Sequence, residues 1–294
     1  VKEKIRAGID LDGILEAAEE APELLIKIPE IIKKQVGKTI SGAAAVHTVC
    51  HAVFDGSRAI FQGKRELEAP AADNKNSSSP VIAVARDEAF CFYYEDNLDL
   101  LKKLGARIRY FSPIRDQEIP PEASALYLGG GYPELHAKAL SENKTMLSSI
   151  REAIRNGMPC IAECGGYLYL KESIEDPDGK RWEMTSVLPG NSQDTGKLGR
   201  FGYITVTAKK DGLLGPEGTQ FRAHEFHHWD SPENGTDFQA KKPVGTRGWE
   251  CGYTTESFYA GFPHLYFYSN PEIAEHFVKQ AQSWREAIWE IQKE

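Results

Sequence analysis

Cys164 is the residue whose surroundings most clearly indicate chemistry. It lies between the apolar, strand-like residues 160–162 and an apolar, helix-like run, with small residues two positions before and after it, at Ala162 and Gly166. A sharp strand-to-helix turn that exposes a nucleophile needs small neighbours at these positions. A thiol at a helix N-terminus also meets the helix dipole and free amide donors, which favour the thiolate. The pattern predicts a cysteine nucleophile, although a buried structural cysteine is the commoner fate of a free thiol.

A glycine-rich loop, Gly129-Gly-Gly131, follows a predicted strand. Its backbone N–H groups are free to face a bound group. Together with the Gly165 N–H they would form an oxyanion hole, which stabilises the charge of a tetrahedral acyl intermediate. The alternative is a tight turn that merely needs the conformational freedom of glycine.

His264 is the candidate general base. A cysteine nucleophile is usually activated by a histidine, and the sequence has eight of them. His264 lies in a strand-like aromatic run at 257–271, whereas His47 and His51 lie in a stretch of small residues and are interpreted as structural. From the residues alone, a core or surface histidine remains the alternative for His264.

A second histidine cluster formally matches the zinc-protease pattern His-Glu-x-x-His. It runs from His224 through Glu225 to His228. Zinc binding by this pattern requires both histidines on one face of a helix. Residues 220–223 lack helical periodicity and Pro232 follows shortly, so we expect no zinc here and no metal site in the chain.

Alternating strands and helices must position these groups. The elements predicted after Pro80 are strands at 81–85, 107–111, 123–128 and 159–162 and helices at 97–105 and 146–156. Such alternation predicts an α/β fold with a mostly parallel sheet and helices on both of its faces. Sites in these folds lie at the carboxyl ends of the strands.

Composition excludes several classes of protein. The 294 residues carry a net charge of −8, whereas a nucleic-acid-binding protein normally shows a basic stripe. No apolar run reaches the ~18 residues of a membrane span, and no signal sequence opens the chain. Five cysteines without a CxxC pair indicate reduced thiols and a cytoplasmic location. We therefore expect neither a nucleic acid nor a membrane as a partner.

The first third of the chain differs from the rest. Residues 1–67 begin with helical spacing and continue into a stretch rich in small residues, and residues 68–79 are polar and turn-rich, as expected for a linker. The sequence begins with Val1 rather than methionine, which predicts that the chain is part of a longer protein.

Four segments resemble, in this order, the cobyrinic acid a,c-diamide synthase family, and most closely its C-terminal glutamine amidotransferase domain. They are residues 84–97, 128–134, 162–166 and 222–227. The likeness covers about 80–279 and implies a flavodoxin-like fold of the class I glutamine amidotransferase type. It divides the chain into a helical remnant of an ATP-binding domain at 1–67, a linker at 68–79, the amidotransferase domain at 80–285 and a helix end at 286–294.

The resemblance implies roles for the candidate residues. Cys164 would attack the side-chain amide of glutamine and release ammonia, leaving a thioester that water hydrolyses. His264 would activate the thiol and shuttle protons, and Gly130 and Gly165 would donate to the oxyanion. No cofactor is implied for this chain. ATP and Mg²⁺ belong to the family's synthetase domain, a partner lost in cis or supplied in trans, which would use the ammonia to amidate corrin side-chain carboxylates.

One departure from the family concerns the carboxylate of the catalytic triad. Many class I amidotransferases have a glutamate two residues after the histidine, where this sequence has Tyr266. Glu225 is a candidate for the carboxylate that orients His264. Two other functions remain open: a flavodoxin-like cysteine hydrolase of small amides or peptides, and a non-catalytic module that binds an ATPase chain.

Overall fold

The computed structural model describes residues 79–291, which belong to the second of the two units into which the chain divides, Lys75–Glu294. The predicted remnant of an ATP-binding domain at 1–67 and almost all of the predicted linker lie outside the described residues. The boundary predicted between 285 and 286 falls within the last helix, Glu272–Ile291. None of the helices within 79–291 is long and apolar enough to span a bilayer.

The strands within this part of the chain are β1 (Val81–Ala85), β2 (Phe90–Phe92), β3 (Arg107–Phe111), β4 (Ala125–Leu128), β5 (Gly130–Gly131), β6 (Cys160–Glu163), β7 (Ser173–Glu175), β8 (Arg181–Glu183), β9 (Asn191–Asp194), β10 (Arg200–Ala208), β11 (Gln220–His227), β12 (Trp229–Asp230), β13 (Phe238–Lys241), β14 (Gly248–Cys251), β15 (Tyr253–Thr255), β16 (Phe258–Gly261) and β17 (His264–Leu265). The helices are α1 (Glu95–Lys103), α2 (Ala137–Glu142), α3 (Lys144–Arg155), α4 (Gly165–Tyr169) and α5 (Glu272–Ile291), with 3₁₀ turns at Pro133–His136 and Phe267–Ser269.

A six-stranded sheet forms the centre of the fold, in the order β15-β16-β6-β4-β1-β3. Its pairs are parallel except for β15 with β16. All residues of β1, β4 and β6 are buried, which explains why the sequence shows continuous apolar runs there rather than alternation. The predicted strands and helices of this region are confirmed, and their ends differ from the observed ones by at most two residues.

Alternate residues of the central strands face two separate apolar cores. Ile82 and Val84 of β1 pack in one core with residues of α1 and α5. Ala83 and Ala85 of the same strand pack in the other core with residues of α3 and α4. Helices therefore cover both faces of the sheet, and the predicted α/β class is confirmed.

A five-stranded antiparallel sheet, β14-β13-β10-β11-β17, is a feature that the sequence patterns did not predict. Residues of β11 alternate between exposed and buried, as expected for a strand with one face on a core. Two smaller sheets have the orders β12-β9-β7-β8 and β2-β5. The antiparallel sheet matters for the site because β17 begins at His264, which lies opposite His224 of β11.

Candidate active site

Cys164 occupies the sharp turn that the sequence predicts between a strand and a helix. It follows β6 and precedes α4, and its backbone has φ 47° and ψ −102°, a conformation that L-residues rarely adopt. The Cys164 N–H donates to Gly261 O at 2.8 Å, and the Leu168 N–H donates to Cys164 O at 2.9 Å. The surroundings thus hold a cysteine in a strained turn, which is typical of a functional site.

Glycines allow the loop after β4 to contact this turn directly. The Gly166 N–H donates to Gly129 O at 2.8 Å, and a Cβ at Gly166 would overlap the backbone of Leu128. At Gly165 a Cβ would stand 2.9 Å from Gly131 N. The small residue that the sequence places two positions after the cysteine is therefore required by a contact between two backbones.

The two predicted oxyanion donors border the nucleophile and the histidine. Gly165 is the first residue of α4, where a backbone N–H has no partner within its own helix. Gly130 lies so close to His264 that a Cβ there would overlap the ring atom Cε1. The loop and the turn thus meet at one place, and the donor roles of Gly130 and Gly165 stay predictions.

His264 is the histidine that the fold brings to Cys164. It is 5% exposed, its ring interacts with the Cys164 side chain, and its ring centroid lies 4.6 Å from that of Phe92. Burial opposes a charge on the ring, but the Cys164 sulfur and the Glu163 carboxylate outweigh it and raise the pKa of His264 to about 10. The Cys164 side chain and the Glu163 carboxylate therefore favour the protonated form of the imidazole.

Glu163, which the sequence reasoning did not single out, is the carboxylate beside His264. Its Oε2 lies 3.6 Å from His264 Nδ1, and both side chains are almost fully buried. Tyr127 donates its hydroxyl to Oε1 at 3.0 Å, and the Leu265 N–H donates to the same oxygen at 3.2 Å. A signal was available in the sequence, since an acidic residue that ends an otherwise apolar, buried strand must have a partner.

Glu225, the candidate for orienting His264, lies elsewhere. On β11 it follows His224, the residue opposite His264, and neighbouring side chains of a strand point to opposite faces of the sheet. Its Oε1 lies 4.0 Å from Nη1 of Arg200, and burial raises the pKa of Glu225 to about 7. The structure therefore places Glu163, and not Glu225, beside His264 Nδ1, because strand alternation turns Glu225 into the core.

Asn97 holds the segment that follows His264. Its Nδ2 donates to Leu265 O at 2.7 Å, and its Oδ1 accepts from the Phe267 N–H at 2.9 Å. The Asn97 side chain is buried, so these bonds replace water that the backbone groups have lost. Asn97 belongs to the segment 84–97 that carries the family resemblance, and part of that segment thus serves to position the histidine.

The zinc-protease pattern at 224–228 is part of a strand and not of a helix. Residues 224–227 belong to β11, so His224 and His228 do not share a helical face. His227 stacks on Phe262, with their ring centroids 3.7 Å apart. Within 79–291 no three His, Cys, Asp or Glu side chains are grouped so that they could hold a metal ion.

Known proteins resemble this chain over about two thirds of its length. Cobyrinate a,c-diamide synthase of Dehalococcoides mccartyi (strain CBDB1) is 41% identical over 204 residues, 67% of this chain and 44% of the relative. Cobyrinate a,c-diamide synthase of Picrophilus torridus is 42% identical over 205 residues, 70% of this chain and 44% of the relative. The chain therefore spans less than half the length of these curated relatives.

One solved structure and one family model also match this chain. A chain of the solved PurLQS structure from Thermotoga maritima is 15% identical, with a TM-score of 0.46, and the match covers 71% of this chain and 99% of that one. The family model of the CobB/CobQ-like glutamine amidotransferase domain matches residues 81–272, which include Cys164 and His264. Since this match covers most of the sequence, the chain belongs to the CobB/CobQ-like glutamine amidotransferase domain family.

Proposed function

We propose that this domain hydrolyses glutamine to glutamate and ammonia through a Cys164 thioester, and that the ammonia serves the ATP-dependent amidation of corrin side-chain carboxylates in cobalamin biosynthesis. The observation that carries the proposal is the place of Cys164 in a strained strand-to-helix turn, directly after Glu163, whose Oε2 lies 3.6 Å from His264 Nδ1. Membership of the family supports glutamine as the substrate, and the names of the relatives support cobyrinate as the molecule that is amidated.

The first half of the reaction forms the thioester. The Cys164 thiolate attacks the side-chain carbonyl carbon of glutamine, and the N–H groups of Gly130 and Gly165 donate to the oxygen that becomes negative. The protonated His264 gives its proton to the departing nitrogen, so the C–N bond breaks and ammonia leaves. The γ-glutamyl group remains on the sulfur.

The second half of the reaction releases glutamate. A water molecule attacks the thioester carbonyl carbon while the neutral His264 accepts a proton from it. The C–S bond then breaks, glutamate leaves, and the thiolate and the protonated imidazole are restored. One histidine thus serves as acid in the first half and as base in the second.

Formation of the amide requires a further part of the protein or a partner. The chain spans 44% of the length of the two relatives, so we assign ATP and Mg²⁺ to a synthetase domain, in the same polypeptide or in a separate chain. The corrin substrate is assigned to that domain as well, and the amidotransferase domain needs no cofactor of its own. The free cysteines among residues 79–291, including Cys164, support a reducing, cytoplasmic location.

The test of the proposed function is glutamine turnover by the purified chain. We expect the wild type to release glutamate and ammonia and to be labelled by a glutamine-directed diazo-ketone. Cys164→Ala should lose the label and reduce turnover by on the order of 10⁴-fold or more, as expected for a nucleophile. Cys251→Ala removes a buried cysteine of the antiparallel sheet and is the matched control, with turnover within about threefold of the wild type.

Three results would contradict the proposed function, and each would point to a different alternative. Retained labelling in Cys164→Ala would show that another residue is the nucleophile. Hydrolysis of small amides or peptides without a preference for glutamine would support the alternative of a cysteine hydrolase. Binding of an ATPase chain with neither turnover nor labelling would support a non-catalytic module.

A further inference from the structure

We propose that Glu163 is the positioning carboxylate of the Cys164–His264 pair, the role that a glutamate two residues after the histidine fills in many class I amidotransferases. The inference rests on the proposed glutamine hydrolysis and deepens it. Glu163 directly precedes the nucleophile in the chain, so the end of β6 presents both the carboxylate and the sulfur. In this role Glu163 acts through His264 and not on the substrate.

The two oxygens of Glu163 have different partners, and the difference defines the role. Oε1 accepts hydrogen bonds from the Tyr127 hydroxyl at 3.0 Å and from the Leu265 N–H at 3.2 Å. Oε2 faces His264 Nδ1 at 3.6 Å, which is long for a hydrogen bond and short enough for a strong interaction between charges. One oxygen is thus anchored to the protein and the other is available to the ring.

The ring of His264 offers the complementary arrangement. Its Nδ1 is buried and has no hydrogen-bond partner within residues 79–291. Because Nδ1 faces Glu163, Nε2 is left for the Cys164 sulfur. A carboxylate at Nδ1 favours a proton on that nitrogen and fixes the ring for exchange of protons at the other. Hydrogen bonds of catalytic groups are often long before substrate binds, which fits the separation of 3.6 Å.

Glu163 is the carboxyl group among the titratable side chains that act on His264. Cys164 approaches the ring from the strand-to-helix turn and Glu163 from β6. His224 and His227 act on it from β11, and both are bases, which cannot supply a negative charge. Glu163 is also the carboxylate within ion-pair distance of the ring in the described part of the chain.

Neither position 266 nor position 225 supplies a carboxylate to His264. Tyr266 stands two residues after the histidine, and its ring is directed to Tyr94, with the centroids 5.8 Å apart. Glu225 has its own ion-pair partner in Arg200 and belongs to the core face of β11. The role is therefore filled from the strand that carries the nucleophile and not from the strand that carries His264.

The test compares isosteric substitutions of two buried glutamates. Glu163→Gln removes the charge but keeps an oxygen that can accept from Tyr127 and Leu265. Glu225→Gln is the matched control, since its carboxylate does not face His264. We expect Glu163→Gln to lower kcat for glutamine by about 10- to 100-fold with little change in KM, because substrate-binding groups are untouched, and Glu225→Gln to stay within about threefold of the wild type.

The pH dependence separates positioning from a general loss of structure. The proposed reaction requires a protonated His264, so the pKa of His264 sets the alkaline limb of kcat/KM. Without the charge of Glu163 this pKa falls, so the alkaline limb of Glu163→Gln should move to lower pH by about one unit or more, while that of Glu225→Gln stays in place. Glu163→Asp retains the charge on a shorter side chain and should restore part of the loss in kcat.

A kcat for Glu163→Gln equal to that of the wild type, or a reduced kcat with an unmoved alkaline limb, would overturn the assignment. If Glu163→Gln does not fold, the test uses Glu163→Asp. A reduced kcat with the alkaline limb of kcat/KM at the wild-type pH would overturn the assignment, whereas an alkaline limb shifted part of the way to lower pH would support it. If the wild type does not hydrolyse glutamine, the proposed function fails separately. The pH dependence of Cys164 alkylation by iodoacetamide then provides the same comparison of the variants.

Discussion

Two buried glutamates lie in two regions of this domain, Glu163 at the carboxyl edge of the parallel sheet and Glu225 inside the antiparallel sheet. Both are at most 2% exposed. Glu163 accepts hydrogen bonds from a hydroxyl and an amide, and it faces a histidine. Neither oxygen of Glu225 has a hydrogen-bond partner among residues 79–291, and the nearest guanidinium nitrogen of its ion-pair partner Arg200 is 4.0 Å away.

The difference follows from the cost of burying a charge. A buried carboxylate stays ionised only where donors or cations replace the water that it has lost. Burial raises the pKa of Glu225 to about 7, whereas the charge of Glu163 helps to raise the pKa of His264. Neighbouring groups, and not the degree of burial, therefore decide which of the two glutamates can serve the reaction.

The largest effect within this comparison is expected from Gly130→Ala, which would break the contact between the glycine loop and the histidine. A Cβ at Gly130 would overlap Cε1 of His264, so the ring must move relative to Cys164. A displacement of ~1 Å in an active site costs on the order of 100-fold in rate. We expect kcat/KM for glutamine, measured by glutamate release, to fall by about 100-fold.

Gly202→Ala, a glycine substitution next to Glu225 in the antiparallel sheet, is the control for Gly130→Ala. Gly202 lies opposite Glu225 on β10 and has a φ of 99°, which an alanine adopts only under strain. The strain should lower the free energy of unfolding by about 1–3 kcal/mol and leave kcat/KM near that of the wild type. Equal losses of activity in Gly130→Ala and Gly202→Ala would show that both glycines act through stability alone.

Asn97→Ala tests whether the hydrogen bonds around the site also stabilise the fold. It leaves the Leu265 carbonyl and the Phe267 N–H buried without their partner, and each such group costs about 1–3 kcal/mol. We expect the free energy of unfolding in urea to fall by about 2 kcal/mol or more. Turnover should fall by roughly tenfold, because the segment after His264 is no longer held in place.

Asn270→Ala is the control for this prediction. Asn270 is half-buried; its Nδ2 donates to the Gln220 carbonyl at 2.9 Å, and its Oδ1 accepts from the Glu272 N–H at 3.2 Å. Its removal should cost about 1 kcal/mol of unfolding free energy and leave turnover unchanged. A loss of stability in Asn97→Ala without a loss of turnover would contradict its role in positioning His264.

The smallest effect is expected from Glu225→Gln, which tests whether the buried Glu225 holds a proton in the folded protein. The pKa of Glu225 in the folded protein, about 7, lies above its ordinary value of 4.5. Between these values the folded protein holds a proton that the unfolded chain has lost, so wild-type stability falls as the pH rises through this range. Glutamine does not titrate, and Glu225→Gln should therefore exceed the wild type by on the order of 1 kcal/mol at pH ~8.

Urea denaturation at two pH values checks this expectation. The advantage of Glu225→Gln over the wild type should be present at pH ~8 and shrink towards pH ~4.5, where both states of the wild type hold the proton. A difference in unfolding free energy that is the same at both pH values would contradict a proton bound by Glu225 in the folded protein.

Much of the central sheet could be predicted because β1, β4 and β6 are buried on both faces and appear in the sequence as short apolar runs. The strands predicted at 81–85 and 107–111 are observed with the same bounds as β1 and β3. The antiparallel sheet was missed because its signal is an alternation within single strands that loops separate. Residues 220–227 show such alternation in β11, but part of this segment also matches a metal-binding pattern and the family resemblance, neither of which indicates a strand.

The α/β class and the nucleophile's turn could be predicted from the sequence alone, because both depend on local requirements: apolar runs for buried strands, and a glycine at position 166 for close contact with the backbone of Leu128. Which glutamate accompanies His264 depends on how the strands pack in three dimensions. Glu163 and Glu225 have the same chemistry and nearly the same burial, so no local pattern separates them. The register that sets His224 opposite His264 turns Glu225 into the core, while the end of β6 brings Glu163 to the ring.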